Sequence, residues 1–327
     1  MPKVLVTGAT GFLGKFILKE LSENDYEVIA FGRNEKIGKS LEDKNIKFIK
    51  GDLSNLNDVK NAILDCDMVV HAGSLTTVWG KWEDFYNSNV LGTKNILDVC
   101  VEKNVKKLVY ISSSSVYAVN QDMLGITEEY SFNKNNSLNF YIKSKIMAEN
   151  LINSEKYRNK IYSNIIRPHG IIGKGDKCIV PRVLEVNKKM GIPLFERGNI
   201  LIDLVSAENV AFAVRLCLEK DNLDGEVFNI TNGDPKTFKD MAKSLFLILK
   251  IKPKFFNANR NFFYGIGAFL EKTYKFLNIT KYEPILTRYK LTTVAYSQTF
   301  NIEKAKKLLG YYPKVSIEES FKSYGNK

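Results

Sequence analysis

The chain has 327 residues, of which 44% are hydrophobic and 26% charged, and its formal net charge is +12. This length is sufficient for one large domain or two modest ones with a sizeable core, and the composition excludes a disordered chain. Cys66, Cys100, Cys178 and Cys217 are widely scattered, and there are only two histidines. We therefore expect neither a disulfide framework nor a bound metal ion.

The positive charge is spread along the whole chain and forms no basic stripe. Lysines alternate with Asp, Glu and Asn in almost every segment, which favours a solvated surface over a nucleic-acid interface. The first predicted strand begins close to the N-terminus, which leaves no room for a signal peptide, and no apolar run has the length of a membrane span. We expect a cytoplasmic protein that binds a small molecule and no nucleic acid.

The first distinctive stretch is a short strand, a glycine turn and a helix start. Three glycines separate the apolar run at residues 4–6 from a helical pattern that begins at Phe12. Gly8 can supply a tight turn, Gly11 a close approach for a pyrophosphate, and Gly14 room for the helix against the strand. A helix N-terminus also offers unpaired N–H groups. The pattern G-x-x-G-x-x-G predicts a dinucleotide site, with an ordinary strand-to-helix loop as the alternative.

Two further predicted strands end near charged residues. Residues 26–31 are predicted to form a strand that ends before Arg33, where the adenosine ribose lies in a doubly wound fold. Arginine suits a 2′-phosphate by charge and geometry, so Arg33 indicates NADP(H), and an exposed loop arginine is the alternative. Residues 46–53 alternate like a strand and include Asp52, which could accept a hydrogen bond from the adenine amino group or act as a turn residue or cap.

Residues 68–74 and 106–111 are apolar runs typical of parallel strands buried on both faces. The first ends in small residues that let a ligand approach, and we interpret His71 as a packed rather than a catalytic histidine. The second leads into serines 112–115, and a helical pattern over 82–103 lies between the two runs. This alternation predicts an α/β fold, a Rossmann-type doubly wound parallel sheet with ligands at the carboxyl ends of its strands.

The regular alternation ends after a predicted strand at 163–168, where glycines and prolines separate short patterns. We predict a dinucleotide-binding domain over residues 1–172 and a smaller α/β substrate-binding domain over 173–327. Strands are expected at residues 201–205 and 226–230, and at least one element within 201–231 is a candidate to return to the main sheet. The aromatic segment 255–277 is interpreted as a core helix, a lid over an apolar substrate or a helix in peripheral contact with a membrane.

Tyr141 and Lys145 are four residues apart and therefore lie on one face of a predicted helix. The phenol of tyrosine has a pKa of about 10, and a nearby ammonium group lowers it by favouring the phenolate. Beside a nicotinamide ring, this tyrosine could move a proton while a hydride passes to or from carbon. A serine at the end of the fifth strand could hold the substrate oxygen, and Lys145 could hydrogen-bond the nicotinamide ribose.

The order of these blocks resembles that of the extended short-chain dehydrogenases/reductases, the NAD-dependent epimerase/dehydratase family, over nearly the whole chain. The matching blocks are residues 7–14, 51–53, 89–93, 112–113 with 116–117, 141 with 145, and 167–168. The resemblance implies that Ser113, Tyr141 and Lys145 are catalytic, with Ser114 as the alternative serine. It also implies that the cofactor is lined by the glycine turn and the strand ends: Gly8, Thr10, Gly11, Phe12, Leu13, Gly14, Arg33, Asp52, Leu53, Ala72, Gly73, Ser74, Asn89, Ile111, Tyr141, Lys145, Pro168, Gly170 and Ile171.

A narrower likeness is to the branch of 3β-hydroxysteroid dehydrogenases, sterol-4-carboxylate 3-dehydrogenases and 2-alkyl-3-oxoalkanoate reductases. Its blocks are residues 78–80, 167–171, 180–182, 284–289 and 298–300. The branch implies NAD(P)-dependent interconversion of a secondary alcohol and a ketone on a hydrophobic substrate, steroid-like or long-chain. Arg33 stands where the sterol enzymes carry an acidic residue, and Lys174 replaces the proline of the usual Gly-Pro-Gly-Asp block. Cofactor choice thus favours NADP(H) and leaves NAD(H) open.

Two other functions fit the same pattern. A nucleotide-sugar epimerase or dehydratase uses the same three residues with tightly held NAD, but its diphosphate needs polar and basic residues where the second predicted domain is mostly aliphatic and aromatic. A non-catalytic dinucleotide-sensing protein of this fold often lacks the tyrosine or the lysine, and this chain keeps both. The resemblance also implies a homodimer formed through the helices around 82–103 and 141–155.

Overall fold

The structure is a computed structural model and describes residues 1–131 and 138–325. Its strands are β1 (Lys3–Thr7), β2 (Glu27–Gly32), β3 (Ile46–Lys50), β4 (Met68–His71), β5 (Lys107–Ile111), β6 (Met123–Ile126), β7 (Tyr162–Pro168), β8 (Ile171–Ile172), β9 (Ile192–Leu194), β10 (Leu201–Ile202), β11 (Val205–Ser206), β12 (Val227–Ile230), β13 (Lys236–Thr237), β14 (Phe255–Asn257) and β15 (Gln298–Phe300). Its α-helices are α1 (Phe12–Ser22), α2 (Glu35–Lys39), α3 (Leu56–Ile63), α4 (Trp82–Phe85), α5 (Gly92–Glu102), α6 (Phe140–Ile152), α7 (Val180–Lys189), α8 (Ala207–Glu219), α9 (Phe238–Ile248), α10 (Arg260–Phe276), α11 (Arg288–Ala295) and α12 (Ile317–Lys322).

The main sheet has seven strands in the order β12-β7-β5-β4-β1-β2-β3, and every pairing in it is parallel. Its central strands are buried along almost their whole length, which explains why their sequences are nearly continuous apolar runs. From β1 the chain adds strands β2 and β3 on one side of the sheet, and from β4 it adds strands on the other side. Ligands in doubly wound folds bind at this point of reversal, between β1 and β4. The predicted Rossmann-type sheet is confirmed.

Helices cover both faces of this sheet. On one face, Ile17 and Leu21 of α1 and Val214 of α8 are buried in a single apolar cluster with the strands. On the other face, residues of α3, α5 and α6, including Val99 and Ile152, form a second cluster. Each fully buried aliphatic side chain of this kind contributes about 1.5–3 kcal/mol relative to exposure. The two layers hold the strand ends in fixed positions, and these ends carry most of the predicted site residues.

The second half of the chain builds smaller sheets and one strand of the main sheet. β12 pairs with β7, so the predicted return to the main sheet occurs at Val227–Ile230. The strand predicted over residues 201–205 was wrong in its extent, because the segment forms the separate strands β10 and β11. β10 joins a four-stranded sheet in the order β13-β10-β15-β6, whereas β11 pairs with β8. The domain division at residue 172 stays a prediction.

Candidate active site

The glycine turn between β1 and α1 is shaped by close backbone packing. Gly8 has φ +69°, and a Cβ atom built on it would lie 2.7 Å from the Cα of Gly73. A Cβ atom on Gly14 would lie 2.3 Å from the carbonyl oxygen of Gly8. Gly11 precedes α1 as its N-cap residue in an extended conformation, and no side chain of the described residues caps the helix there. The first N–H groups of α1 are thus left for an anionic ligand, and the turn fits a dinucleotide pyrophosphate.

Arg33 and Asp52 lie together beyond the ends of β2 and β3. Arg33 Nη1 is 3.7 Å from Asp52 Oδ2, and the Arg33 side chain is 73% exposed. Asp52 Oδ1 accepts hydrogen bonds from the backbone N–H and the hydroxyl of Ser54, at 2.9 and 2.7 Å. Asp52 therefore acts as a turn residue, while Asn55 caps α3. Arg33 remains on the surface, where its guanidinium group is accessible to a 2′-phosphate.

The other predicted cofactor residues lie at or just beyond the same edge of the sheet. Leu53 packs against Gly73, since a Cβ atom on that glycine would be 2.7 Å from Leu53 Cδ1. The remaining residues occupy the glycine turn and first turn of α1, the segment after β4, the end of β5, and the end of β7 with the segment after it: Thr10, Phe12 and Leu13; Ala72 and Ser74; Ile111; Pro168, Gly170 and Ile171. The fold thus assembles residues from five separate parts of the chain.

His71 is buried at the end of β4 and has partners on both ring nitrogens. Its Nδ1 atom is 2.8 Å from the Thr7 hydroxyl and its Nε2 atom is 3.0 Å from the Thr93 hydroxyl. The Thr93 hydroxyl donates to the carbonyl oxygen of Asn89, so it accepts from Nε2–H, and Nδ1 accepts from Thr7. Burial, with a contribution from nearby Lys145, lowers the pKa of His71 to about 3. The interpretation of His71 as a packed histidine agrees with these contacts.

Asn89 lies in a π-helical segment, Tyr86–Leu91, that interrupts the single helix predicted over 82–103. The buried Asn89 amide accepts from the Leu75 N–H at 2.6 Å and donates to the Leu75 carbonyl and to the Ser144 hydroxyl. The Ser144 hydroxyl in turn donates to the carbonyl of Tyr141. Asn89 thus ties the loop after β4 to α6, which makes it a positioning residue. Irregular helical turns of this kind are frequent at functional sites.

Tyr141, Lys145 and Ser113 are brought together by α6 and the end of β5. The side chain of Asn139 caps α6, which places Tyr141 in its first turn. Lys145 Nζ lies 6.0 Å from the centre of the Tyr141 ring and donates to the carbonyl of Ile111 at 2.7 Å. The Ser113 side chain lies close enough to Tyr141 to lower the pKa of the phenol in part. A phenol, a hydroxyl and a buried amine in this arrangement can move a proton to or from a bound oxygen atom.

The expectation that Lys145 lowers the pKa of Tyr141 is corrected by the structure. Burial raises the pKa of Tyr141, and the nearby Ser113 side chain opposes this only in part. Burial also lowers the pKa of Lys145 to about 7, against the attraction of Glu149. The lowered pKa disfavours the charged form of the Lys145 amine, which weakens its effect on the phenol. Tyr141 carries its proton at neutral pH in this structure.

A buried polar network behind the three residues was not predicted. Arg167 donates from Nε and Nη2 to the two carboxylate oxygens of Glu149, at 2.9 and 2.5 Å, and from Nη1 to the Tyr117 hydroxyl. The Ser112 hydroxyl donates to the same carboxylate. The spacing of Glu149, one helical turn beyond Lys145, was a signal in the sequence. The Ser114 hydroxyl makes a different contact, with His169 Nδ1 at 2.7 Å. Ser114 therefore does not occupy the same position as Ser113.

Residues of the second half of the chain also reach Tyr141. Tyr289 lies in the first turn of α11. Burial raises the pKa of Tyr289, and nearby Tyr141 raises it further. Cys178 lies close enough to influence the pKa of Tyr141. Asp176 accepts from the N–H groups of residues 178–180 and so holds the segment before α7. The block containing Lys174 thus keeps its aspartate, which holds the turn before α7.

The parallel sheet, the uncapped glycine turn and the grouped tyrosine, serine and lysine are the features of a nicotinamide-dependent dehydrogenase or epimerase. The chain matches the model of the NAD dependent epimerase/dehydratase family over residues 4–231. It is 35% identical to a 2-alkyl-3-oxoalkanoate reductase of Shewanella oneidensis, over 97% of this chain and 84% of that protein. It is 31% identical to a decarboxylating sterol-4-alpha-carboxylate 3-dehydrogenase of Candida albicans, over 97% of this chain and 95% of that protein.

The chain therefore belongs to the NAD-dependent epimerase/dehydratase family, the extended short-chain dehydrogenases/reductases, and the resemblance in the sequence is confirmed down to the branch. It is an oxidoreductase-family protein whose cofactor is a nicotinamide dinucleotide. A solved UDP-glucuronic acid 4-epimerase from Bacillus cereus in complex with NAD has a TM-score of 0.77 and 22% identity, over 98% of this chain and 96% of that one. At this identity the likeness shows the fold alone.

Proposed function

We propose that the protein is an NADP(H)-preferring oxidoreductase that interconverts a secondary alcohol and a ketone on a hydrophobic substrate, steroid-like or a long-chain 3-oxo or 3-hydroxy compound. The observation that carries this proposal is the grouping of Ser113, Tyr141 and the buried Lys145 at the carboxyl end of β5 and the start of α6. Two relatives named for acting on a 2-alkyl-3-oxoalkanoate and on a sterol carboxylate support the substrate class.

Each side chain has a definite task in this reaction. When bound, the nicotinamide ring supplies or accepts the hydride at the substrate carbon. Tyr141 holds its proton at neutral pH because burial raises its pKa, so it donates that proton to the carbonyl oxygen during reduction. Ser113 hydrogen-bonds the same oxygen and keeps it against the phenol. Lys145, fixed by the Ile111 carbonyl, is placed to hydrogen-bond the nicotinamide ribose.

The cofactor is held by groups at the carboxyl edge of the sheet. The free N–H groups at the start of α1 bind the pyrophosphate, and the small residues Gly11 and Gly73 let it approach the backbone. Arg33 binds the 2′-phosphate, since its guanidinium group is exposed beyond the end of β2 and is 3.7 Å from its ion-pair partner Asp52. These contacts explain a preference for NADP(H).

The proposed activity is tested by incubating the purified protein with NADPH and a long-chain 2-alkyl-3-oxoalkanoate or a 3-ketosteroid. We expect oxidation of NADPH, measured by nicotinamide absorbance, and formation of the corresponding alcohol. Interconversion of UDP-sugars by protein that copurifies with NAD would instead establish the epimerase alternative. Cofactor binding without turnover of any of these substrates would establish a dinucleotide-sensing protein.

The role of Arg33 has its own test. The change Arg33→Ser is expected to weaken NADPH binding by about 10-fold to 100-fold, because a charge-assisted hydrogen bond contributes about 1.5–3 kcal/mol. NADH binding should change little, since NADH has no 2′-phosphate. Both affinities are measured by nicotinamide fluorescence titration. Arg158→Ser, the same change at another exposed arginine, serves as control, and equal loss of NADPH and NADH affinity would refute the assignment.

A homodimer through the helices around residues 82–103 and 141–155 is proposed by resemblance. Trp82 lies between Tyr86 and Phe140, with ring centres 5.9 and 5.6 Å apart. Tyr86 and Phe140 are each 40% exposed. This exposed aromatic cluster lies on the predicted helices and supports an interface there.

A further inference from the structure

α10 has one face that packs on the protein and is anchored by a buried charge. Gly267 and Glu271 are its buried residues. The Glu271 carboxylate accepts from the backbone N–H of Arg288 at 2.7 Å and from its Nε at 2.8 Å. Phe263 and Tyr264 pack into an apolar cluster beneath the helix. The core-helix interpretation of this segment therefore holds for one of its two faces.

The opposite face of α10 is apolar and exposed to solvent. Phe262, Ile266, Phe269 and Phe276 are 65%, 36%, 69% and 87% exposed. Their spacing of four, three and seven residues places them in one row along the helix. Singly scattered exposed apolar residues are ordinary, whereas an aligned row of aromatic side chains indicates a surface that contacts an apolar partner.

The charges on α10 indicate which partner this is. Glu271 is the only acidic residue of the helix, and it is buried opposite the row. Lys272 and Lys275 are exposed, and Lys281 follows shortly after the helix. A second copy of the same surface would bring like charges together, because a symmetric interface pairs a patch with itself. A lipid surface with anionic headgroups neutralises them instead.

The packed side of α10 lies near the candidate site. Trp79, in the loop after β4, donates from Nε1 to the carbonyl of Ile279 at 2.9 Å and contacts Tyr274 edge to face. On its other side, α10 is joined through Glu271 and Arg288 to α11, which carries Tyr289 towards Tyr141. α10 thus borders the substrate side of the site.

We propose that α10 is a membrane-surface helix that binds anionic bilayers through its aromatic row and its lysines. The phenylalanines insert at the boundary between headgroups and acyl chains, while Lys272 and Lys275 pair with lipid phosphates. None of the helices in the described part of the chain has the length and apolar content for a membrane span, so the contact is peripheral. This interaction goes beyond the proposed reaction, and it gives an apolar substrate a path from the bilayer to the site.

The test is cosedimentation of the full-length protein with vesicles of phosphatidylcholine alone and of equal parts phosphatidylcholine and phosphatidylglycerol. We expect binding to the anionic vesicles and little binding to the neutral ones. Phe269→Asp with Phe276→Asp should lower the partition coefficient at least tenfold, because charges enter the apolar row. Lys272→Gln with Lys275→Gln should lower it by roughly tenfold or more, given the attraction of each lysine to an anionic surface.

Matched controls separate this surface from general effects. Leu247→Asp alters another strongly exposed apolar residue, on α9, and Lys44→Gln with Lys188→Gln removes two exposed lysines elsewhere; neither should reduce binding by more than about twofold. All variants should keep their NADPH affinity. Vesicle binding does not require turnover, so failure of the oxidoreductase assay would leave the vesicle result unaffected. The proposal would be overturned if the protein did not bind vesicles, or if the control variants lost as much binding as the test variants. It would also be overturned if the phenylalanine variant shifted from dimer to monomer and no vesicle binding was seen.

Discussion

Replacing Tyr141 by phenylalanine is expected to lower kcat for ketone reduction by about 100-fold to 10,000-fold. The change removes the proton donor and leaves the ring, so the contact between the ring and Lys145 remains. Burial raises the pKa of Tyr141, so the phenol carries the proton at neutral pH, and phenylalanine has no proton to donate in its place. Steady-state turnover of NADPH with the hydrophobic ketone measures the loss.

The control for this change is Tyr86→Phe, which makes the same replacement at a tyrosine that is 40% exposed on the neighbouring π-helical segment. It should retain ordinary turnover. Thermal unfolding and NADPH titration should be unchanged in the Tyr141 variant, which separates chemistry from folding. Ordinary kcat in a folded, cofactor-binding Tyr141→Phe protein would remove Tyr141 from the mechanism and, with it, the main support for the proposed reaction.

The change Glu149→Gln is expected to lower the free energy of unfolding by about 3–5 kcal/mol, because it leaves a buried guanidinium group without its counter-ion. The side chains of Arg167 and Glu149 are only 6% and 4% exposed, and the pair is bidentate. A neutral amide has one acceptor oxygen, and its nitrogen is a donor. It therefore cannot replace both carboxylate oxygens as acceptors for the two guanidinium N–H groups and the Ser112 hydroxyl. Urea-induced unfolding, followed by circular dichroism, gives the difference.

Two comparisons make this result specific. Glu185→Gln breaks an exposed ion pair with Lys189 on α7 and should cost less than about 0.5 kcal/mol. The double change Glu149→Gln with Arg167→Met removes both buried charges and should recover part of the lost stability. If Glu149→Gln costs no more than Glu185→Gln, the network does not stabilise the folded state in the way its geometry indicates.

The sheet and much of the site could be predicted because their signals are local in the sequence. Parallel strands buried on both faces leave apolar runs, and the glycine turn has a fixed spacing, so residues 4–14 identified the first strand and its helix. Tyr141 and Lys145 share a helical face for the same reason, since a four-residue spacing fixes their relation before any tertiary contact forms.

The features that were missed depend on contacts between distant segments. Tyr289 reaches the site only after α11 has packed. Its block, residues 284–289, carried the likeness to the branch but gave no position relative to Tyr141. The shift in the pKa of Tyr141 depends on how deeply the folded chain buries it, which a four-residue spacing does not specify. The π-helical turn around Asn89 was equally hidden, because the apolar pattern over 82–103 is continuous there while the amide of Asn89 holds the loop at Leu75.

The closely packed glycines of the first turn, Gly8 and Gly14, and the exposed Arg33 have different consequences for engineering a change of coenzyme. Gly8 and Gly14 have no room for a methyl group, so substitutions there disturb the backbone of the core. The Arg33 side chain is 73% exposed and its ion-pair distance to Asp52 is 3.7 Å. Surface substitutions usually change stability by less than about 0.5 kcal/mol. A change at Arg33 is therefore expected to alter the proposed coenzyme preference while it leaves the glycine turn and the rest of the fold intact.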